Sequence, residues 1–329
     1  MSPHLSPERI LVTGGTGFIG SHVVPLLRTA SAAPHGPALR LLTHRRPGPG
    51  ATGAELETVY GDLADPASLH GVCEGVGTVL HLAARIAGTP EECRTVNEEG
   101  TRALLAEAAR AGVRRIVQLG TAAVYGDGPH RGEPEGRIAE APVTPTSRTR
   151  LAGERLVLAA GGTVVRPYLV YGEGDAWVVP GIVQLLRRLP HWVDGAGSRL
   201  SLIPAPVLAR ALAELALAPR APGAGVLHAA HPEPVTLREL VTTVCGALEL
   251  PLPSGDLGLD EALRRLDAHG SGARRPLELV AVDRWYDSAA LWSRLTTGPG
   301  APFAAAFKEC APWYRRALAD GGRPGAALR

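Results

Sequence analysis

Lysine is almost absent from this chain of 329 residues: Lys308 is the only one, so 33 of the 34 basic residues are arginine. An arginine is therefore not by itself evidence of a functional site. Charge of one sign is also lacking, because the formal net charge is only +2. This argues against nucleic acid or a membrane surface as a partner. Neither a signal peptide nor an apolar run long enough to cross a bilayer is evident, so we expect a cytoplasmic protein.

Cysteine is scarce as well. The four cysteines (Cys73, Cys93, Cys245 and Cys310) lie far apart and form no C-x-x-C pair. This spacing argues against a disulfide framework or a zinc site and indicates reduced thiols, and we expect no metal site. Internal repeats are absent too, so the organisation of the chain follows from its apolar segments.

Short apolar segments alternate with helical patterns through the first half of the chain. Strands are predicted over residues 9–13, 39–43, 55–60, 79–83, 115–119 and 163–166. Helices are predicted from the first strand to about residue 27, and over residues 90–111 and 145–159. Because the strands are almost continuously apolar, this alternation predicts an α/β fold with a doubly wound parallel Rossmann sheet.

The second half predicts a smaller, mostly helical C-terminal substrate domain. Helical patterns recur at residues 177–189, 205–217, 236–248 and 259–268, separated by Pro/Gly stretches at 219–225 and 250–258. We expect residues 1–167 to form the cofactor-binding domain, with a returning segment near 199–230 that brings a strand at about 225–229 back to the main sheet. Residues 168–198 and 231–329 are then the substrate-binding domain.

A glycine-rich turn connects the first strand to the first helix and reads Gly14-Gly15-Thr16-Gly17-Phe18-Ile19-Gly20. In a G-x-x-G-x-x-G turn the first glycine allows a tight turn, the second lets the backbone approach a pyrophosphate, and the third permits close helix–strand packing. The N–H groups at the helix start favour a bound phosphate. We therefore predict that Gly14 and the segment from Thr16 to Gly20 bind a dinucleotide.

The residues after the second strand indicate which dinucleotide is bound. Enzymes that use NAD usually place an acid here, on the ribose 2′-hydroxyl, whereas this chain has His44, Arg45 and Arg46 and no acid nearby. Guanidinium groups suit a 2′-phosphate. The alternative is a solvated basic loop, but it does not account for the missing acid, and we predict NADP(H) as cofactor.

Several further motifs follow in order along the chain, and the set resembles an extended short-chain dehydrogenase/reductase over about residues 9–230. They are Gly61-Asp62-Leu63, His81-Leu82-Ala83-Ala84, Val96-Asn97-Glu98-Glu99-Gly100-Thr101, Gly120-Thr121-Ala122-Ala123-Val124-Tyr125-Gly126 and Arg166-Pro167-Tyr168-Leu169-Val170-Tyr171-Gly172. The resemblance implies that Asp62 and Leu63 border the adenine. It also implies that Ala83, Ala84 and Asn97 line the cofactor cleft, and that the segment from Pro167 through Tyr168 to Val170 flanks the nicotinamide.

The chain departs from that family at its most characteristic motif. The resemblance makes Thr121 the active-site Ser/Thr and places a Tyr-x-x-x-Lys motif 25 residues later, where this chain has Thr146 and Arg150. The six tyrosines and the single lysine all lie elsewhere. A threonine hydroxyl is far too weak an acid to replace the tyrosine, and an arginine stays protonated. Thr121, Thr146 and Arg150 are nevertheless our candidate catalytic residues, and Arg150 also suits the nicotinamide ribose.

Three aromatic residues are weaker candidates for contacts with a substrate, namely Tyr125, Tyr168 and Trp177. Tyr125 and Tyr168 are also alternative proton donors, although each has an ordinary role as a packed or cleft-wall aromatic. Core packing explains Trp177 equally well. The missing Tyr/Lys pair and the basic loop together resemble the atypical angucyclinone ketoreductases. That resemblance implies an NADPH-dependent reductase of a polycyclic aromatic polyketide ketone in antibiotic biosynthesis.

In such a ketone, a phenol peri to the carbonyl can supply the proton that the protein lacks. Two alternatives stay open: a non-catalytic NADP-binding regulator, and a redox-neutral cyclase or epimerase. The expected partner is a small aromatic ketone, and the sequence leaves the oligomeric state open.

Overall fold

The computed structural model describes residues 9–44, 56–219, 221–270 and 272–319. Its strands are β1 (Arg9–Thr13), β2 (Leu39–Thr43), β3 (Leu56–Tyr60), β4 (Val76–His81), β5 (Arg115–Leu119), β6 (His130–Glu133), β7 (Thr163–Pro167), β8 (Leu169–Tyr171), β9 (Trp192–Val193), β10 (Arg199–Leu200), β11 (Leu202–Pro204), β12 (Gly225–Ala229), β13 (Val235–Thr236), β14 (Asp256–Leu257) and β15 (Arg284–Tyr286). Its α-helices are α1 (Phe18–Ser31), α2 (Pro90–Arg94), α3 (Thr101–Arg110), α4 (Pro145–Ala159), α5 (Val178–Arg188), α6 (Ala205–Leu217), α7 (Leu237–Leu248), α8 (Leu259–Asp267), α9 (Arg275–Val280), α10 (Ala289–Trp292) and α11 (Phe303–Ala319).

Seven parallel strands form the main sheet, in the order β3-β2-β1-β4-β5-β7-β12. This confirms the predicted α/β fold with a doubly wound parallel sheet. The order of the strands reverses between β1 and β4. In sheets of this kind a ligand binds at the carboxyl ends of the strands beside such a reversal, and the glycine-rich turn leaves the sheet at that point.

Both faces of the sheet are buried, which explains why its strands are almost continuously apolar. Ile10 and Val12 on β1 belong to the core shared with α1 and α6, whereas Leu11 between them belongs to a second core shared with α3. Because successive side chains of a strand point to opposite faces, this alternation requires helices on both sides of the sheet.

Two predicted elements differ from the structure in detail. The strand predicted over 79–83 is β4, which starts at Val76, because backbone pairing with β1 and β5 includes the weakly apolar Gly77 and Thr78. The helix predicted over 90–111 is divided into α2, a π-helical turn at Thr95–Gly100 and α3. A π-turn changes the helix register by one residue without changing the apolar pattern greatly, and it places Asn97 in this turn.

The rest of the chain forms smaller sheets and a helical core. A four-stranded sheet has the order β13-β10-β15-β6, and the pairs β11-β8 and β14-β9 stand apart from it. Helices α5, α7, α8, α9 and α11 bury a common apolar core. Strand β6 comes from the first half of the chain, and the domain boundaries remain a prediction. In the described ranges, no helix has the length and apolar character needed to cross a membrane.

Candidate active site

Two glycines of the turn between β1 and α1 are required by the protein's own packing. Gly14 has a φ of +69°, and a Cβ at this position would lie 2.6 Å from the backbone nitrogen of Ala83. A Cβ at Gly20 would lie 2.1 Å from the carbonyl oxygen of Gly14. Both distances are far below van der Waals contact, so the turn closes against β4 and α1 only with glycine.

Gly17 is different, because a Cβ there would approach only the carbonyl oxygen of Gly14, at 3.3 Å. The protein therefore restricts this position less severely than Gly14 and Gly20, and a ligand lying close to the backbone favours glycine here as well. Gly17 also precedes α1 without a side-chain cap, and the first turn of α1 contains no acidic residue. The unsatisfied N–H groups of a helix start bind phosphate readily, so the residues present fit the pyrophosphate of a dinucleotide.

A chain of hydrogen bonds ties the carboxyl ends of β1 and β4 together. The backbone N–H of Ala83 donates to Oγ1 of Thr13 at 3.2 Å, and this oxygen lies 2.7 Å from Nδ1 of His81. Nε2 of His81 lies 3.1 Å from Oγ1 of Thr101, which donates to the carbonyl of Asn97. All donors and acceptors are satisfied if His81 is neutral and carries its proton on Nε2.

Burial and the nearby Arg150 guanidinium lower the pKa of His81 from 6.5 to about 4. The folded protein therefore resists protonation of His81 between pH 6.5 and 4, whereas the unfolded chain accepts the proton. This depressed pKa makes the contribution of His81 to stability fall with decreasing pH, by about 3 kcal/mol between pH 7 and 4.

We expect the His81→Gln variant to lose less stability than the unmodified protein between pH 7 and 4, because glutamine does not titrate. The free energy of unfolding measured in urea at several pH values tests this. The exposed His269 provides the matched control, and its replacement by glutamine should leave the pH dependence unchanged. An unchanged slope in His81→Gln would contradict the assignment.

The adenine end of the predicted cleft is formed by the loop after β3. Asp62 accepts a hydrogen bond from the backbone N–H of Ala64 through Oδ1, and its own N–H donates to Ser68. Leu63 is buried. His44 follows β2 and is exposed, whereas Arg45 and Arg46 lie outside the described residues. The preference for NADP(H) therefore remains a prediction.

Asn97 fixes the loop after β4, which contains Ala83 and Ala84. Its Oδ1 accepts from the backbone N–H of Arg85 at 2.7 Å, and its Nδ2 donates to the carbonyl of Arg85 and to Oγ1 of Thr149. The side chain thus pairs with the backbone of Arg85 as a neighbouring strand would, and it connects the loop after β4 to α4. The amide is fully occupied by the protein.

The candidate catalytic residues Thr121 and Arg150 lie together at the carboxyl end of β5. Nη2 of Arg150 donates to the carbonyl oxygens of Leu119 and Gly120, at 3.0 and 2.8 Å. The backbone N–H of Thr121 donates to Oε1 of Glu154 at 3.0 Å, and its Oγ1 accepts from the N–H of Ala123 at 3.2 Å. Thr121 thereby begins the 3₁₀ turn Ala122–Tyr125.

Thr146 lies one turn before Arg150 on α4 and faces the cleft loop. Its hydroxyl is 3.7 Å from the thiol of Cys93 and donates a long hydrogen bond of 3.5 Å to the carbonyl of Ile86. Neither neighbour would acidify a hydroxyl. The geometry around Thr146 therefore provides no acidic hydroxyl.

The two candidate tyrosines have hydroxyls that are bound within the protein. The Tyr125 hydroxyl lies 2.6 Å from Nε2 of His228, whose Nδ1 faces the carbonyl of Asp287 at 3.0 Å. The Tyr168 hydroxyl donates to the carbonyl of Leu279 at 2.6 Å. Burial raises the pKa of both phenols, which makes them weaker acids. His228 carries no recognisable motif, and its pairing with Tyr125 was not predicted.

The remaining predicted contacts surround this centre. Pro167 ends β7, the neighbour of β5 in the sheet, and Val170 lies on β8, which pairs with β11. Trp177 precedes α5 and is 62% exposed. The carbonyl of Glu173, four residues earlier, lies 2.8 Å from Nε2 of His22 on α1. Trp177 is thus an exposed aromatic ring in the segment that follows this contact with α1.

A buried ion cluster lies next to Thr121 and Arg150. Arg166 donates to Oε2 of Glu154 at 2.7 Å and to Oε1 of Glu140 at 2.6 Å. Its guanidinium also lies over the ring of Tyr125, 5.0 Å from the ring centre. Because Glu154 receives the N–H of Thr121 as well, this cluster connects β7, α4 and the candidate catalytic turn. No role of Glu154 or Arg166 in the site was predicted.

Comparison with protein families identifies the class. The model of the NAD dependent epimerase/dehydratase family matches residues 10–199, more than half of the chain. The chain therefore belongs to this family, whose members and related proteins are nicotinamide-dependent oxidoreductases and epimerases.

Curated relatives include several reductases. The chain is 32% identical to 2-alkyl-3-oxoalkanoate reductase of Stenotrophomonas maltophilia, over 74% of this chain and 76% of that protein. It is 28% identical to 4-hydroxy-2-methyl-3-oxo-4-farnesyl-3,4-dihydroquinoline-1-oxide ketoreductase of Stigmatella aurantiaca, over 79% of each protein. The match to ceramide reductase of Caulobacter vibrioides, at 34% identity, covers 55% of this chain and only about half (52%) of that protein.

A solved structure shows the same architecture over nearly the whole chain. MoeE5 in complex with UDP-glucose and NAD has a TM-score of 0.70 at 25% identity, and the match covers 94% of this chain and 99% of MoeE5. The likeness supports the Rossmann-like fold described above.

Proposed function

We propose that this protein is an NADPH-dependent ketoreductase of a polycyclic aromatic ketone, of the angucyclinone type, in antibiotic biosynthesis. One observation carries the proposal: the glycine-rich turn and Thr121 are present, whereas the hydroxyls of Tyr125 and Tyr168 are hydrogen-bonded within the protein and the unpartnered hydroxyl of Tyr286 is buried. When bound, the nicotinamide would supply the hydride. Gly14 and the segment from Thr16 to Gly20 would hold its pyrophosphate, and Thr121 would face the carbonyl to be reduced.

The missing proton donor restricts the substrate. Thr146 is not acidic, and the hydroxyls of Tyr125 and Tyr168 point to protein acceptors. A ketone with a phenol peri to the carbonyl carries its own donor through an internal hydrogen bond. Hydride adds to the carbonyl carbon, the phenol proton moves to the carbonyl oxygen, and the phenolate that remains regains a proton from water.

The relatives support a ketone as substrate. Two of them, the 2-alkyl-3-oxoalkanoate reductase and the dihydroquinoline-1-oxide ketoreductase, are named as reductases of oxo compounds. Their names do not specify an aromatic polyketide, which rests here on the missing Tyr/Lys pair. The exposed ring of Trp177 offers a surface on which a flat aromatic ligand would stack.

The choice of NADPH rests on the residues after β2. Arg45 and Arg46, which follow His44, supply positive charge where NAD-dependent members carry an acid, and a 2′-phosphate would be bound through charge-assisted hydrogen bonds. MoeE5 binds NAD, and the residues after β2 are expected to decide between NAD and NADP in this chain.

The direct test mixes the purified protein with NADPH and a polycyclic ketone that carries a peri hydroxyl group. We expect NADPH absorbance to fall in step with formation of the secondary alcohol, and NADH to react more slowly. Tight NADPH binding without oxidation, across a panel of such ketones, would instead indicate a regulator. A rearranged product with unchanged cofactor absorbance would indicate a cyclase or epimerase.

A further inference from the structure

Two side chains of helix α4 bind the backbone of Thr121 and of the two residues before it. Arg150 and Glu154 are one helical turn apart on α4, so their side chains project from the same face. Arg150 donates to the two carbonyls that precede Thr121, and Glu154 accepts the N–H of Thr121 itself. One helix thereby provides both a donor for the carbonyl groups and an acceptor for an N–H group of the same short backbone segment.

This arrangement leaves one hydrogen of Thr121 available. Oγ1 of Thr121 accepts the N–H of Ala123, and within the described part of the chain no acceptor takes its hydroxyl hydrogen. The hydroxyl is therefore aligned by the 3₁₀ turn and remains able to donate to a ligand. A fixed donor at the carboxyl end of β5 can stabilise charge that develops on a carbonyl oxygen.

We infer that Arg150 is a positioning residue that acts through Thr121, rather than a ligand of the nicotinamide ribose. The family's lysine at this position is expected to face the cofactor, whereas Nη2 of Arg150 is directed to Leu119 and Gly120 in this chain. The inference concerns the reaction of the proposed function, but its consequences for backbone order and cofactor affinity do not depend on that function.

These contacts predict a specific set of results for Arg150→Met, which removes the hydrogen bonds to the carbonyls of Leu119 and Gly120. Amide hydrogen exchange at residues 120–123 should become at least about tenfold faster, because local opening near the turn is no longer restrained. The Kd for NADPH, measured by fluorescence, should stay within about threefold of the unmodified value. Arg150→Gln keeps an NH₂ group without the charge, and we expect it to restore part of the exchange protection.

A double-mutant cycle then shows whether Arg150 acts through Thr121. We expect Arg150→Met to lower kcat about tenfold or more in the unmodified protein, and to have little further effect in Thr121→Val, because the group it positions is gone. Arg148 provides the matched control on the same helix, since it is exposed and donates only a long hydrogen bond to Pro142. Arg148→Met should change none of these quantities.

Three outcomes would overturn the inference. A Kd for NADPH raised tenfold or more in Arg150→Met would make Arg150 a cofactor ligand. Unchanged hydrogen exchange at residues 120–123 would show that Arg150 does not restrain the turn. Additive effects of Arg150→Met and Thr121→Val on kcat would show independent roles. If no ketone is reduced at all, the proposed function fails, but hydrogen exchange and NADPH affinity still decide this role of Arg150.

Discussion

Methylation of the phenol oxygen peri to the ketone should slow NADPH oxidation by about 10²- to 10⁴-fold, the usual contribution of a general acid. This range corresponds to about 3–5 kcal/mol in the activation free energy. The reason is that the methyl ether cannot donate a proton to the carbonyl oxygen, while Thr146 and the bound phenols of Tyr125 and Tyr168 offer no replacement. Single-turnover measurements with saturating ketone and NADPH would isolate the chemical step.

The control for this experiment is the same ketone methylated on a hydroxyl remote from the carbonyl. It carries the same added bulk but keeps the internal hydrogen bond, so its rate should remain close to that of the parent compound. Equal rates for the peri ether and the parent ketone would contradict a substrate-supplied proton. They would direct attention back to a protein donor, with Tyr125→Phe and Tyr168→Phe as the next variants to test.

Replacing Arg166 by methionine should lower the free energy of unfolding by about 3–5 kcal/mol, the usual cost of leaving one member of a buried ion pair without its partner. Arg166 and Glu154 are almost entirely buried, with side-chain exposures of 2% and 1%. The carboxylate of Glu154 would then lie in the interior with only the N–H of Thr121 and the more distant Arg150 for compensation. Denaturation in urea at pH 7 measures the loss.

The pH dependence of this loss distinguishes a charge effect from simple loss of packing. Burial already raises the pKa of Glu154, and Arg166 lowers it, so removal of Arg166 should raise it further. A raised folded pKa favours the protonated, folded protein, and the stability deficit of Arg166→Met should therefore be smaller at pH 5 than at pH 8.

Arg155 supplies the matched control for this prediction. It also pairs with Glu140, but its side chain is 64% exposed, and exposed ion pairs contribute little to stability. We expect Arg155→Met to unfold at nearly the same urea concentration as the unmodified protein. A deficit in Arg166→Met that does not vary with pH would show that the ionic partnership with Glu154 is not its cause.

The fold follows from local patterns to a large extent. The apolar run over residues 9–13 and the glycine-rich turn predict β1 and the start of α1, because strand burial and the tight turn each constrain residue type within a few positions. The start of β4 at Val76 and the π-turn at Thr95–Gly100 were not predicted. Both depend on backbone pairing or packing with distant segments, which changes the apolar pattern very little.

The candidate site divides in the same way. The resemblance, which depends on the order of the motifs, makes Thr121 and Arg150 candidate catalytic residues. The absence of a tyrosine and a lysine from the expected positions is likewise a property of the residue order alone. The roles of Thr121, Thr146 and Arg150 in a reaction remain predictions.

Only the tertiary structure decides where the polar groups around that site point. It directs Arg150 to the carbonyls of Leu119 and Gly120, and it pairs Tyr125 with His228 across 103 positions of the chain. Residue type states what a side chain can donate or accept, but its partner depends on which distant backbone the fold brings within about 3 Å. The predicted lack of a proton donor rests on the order of residues, whereas the hydrogen bonds of the Tyr125 and Tyr168 hydroxyls follow from packing.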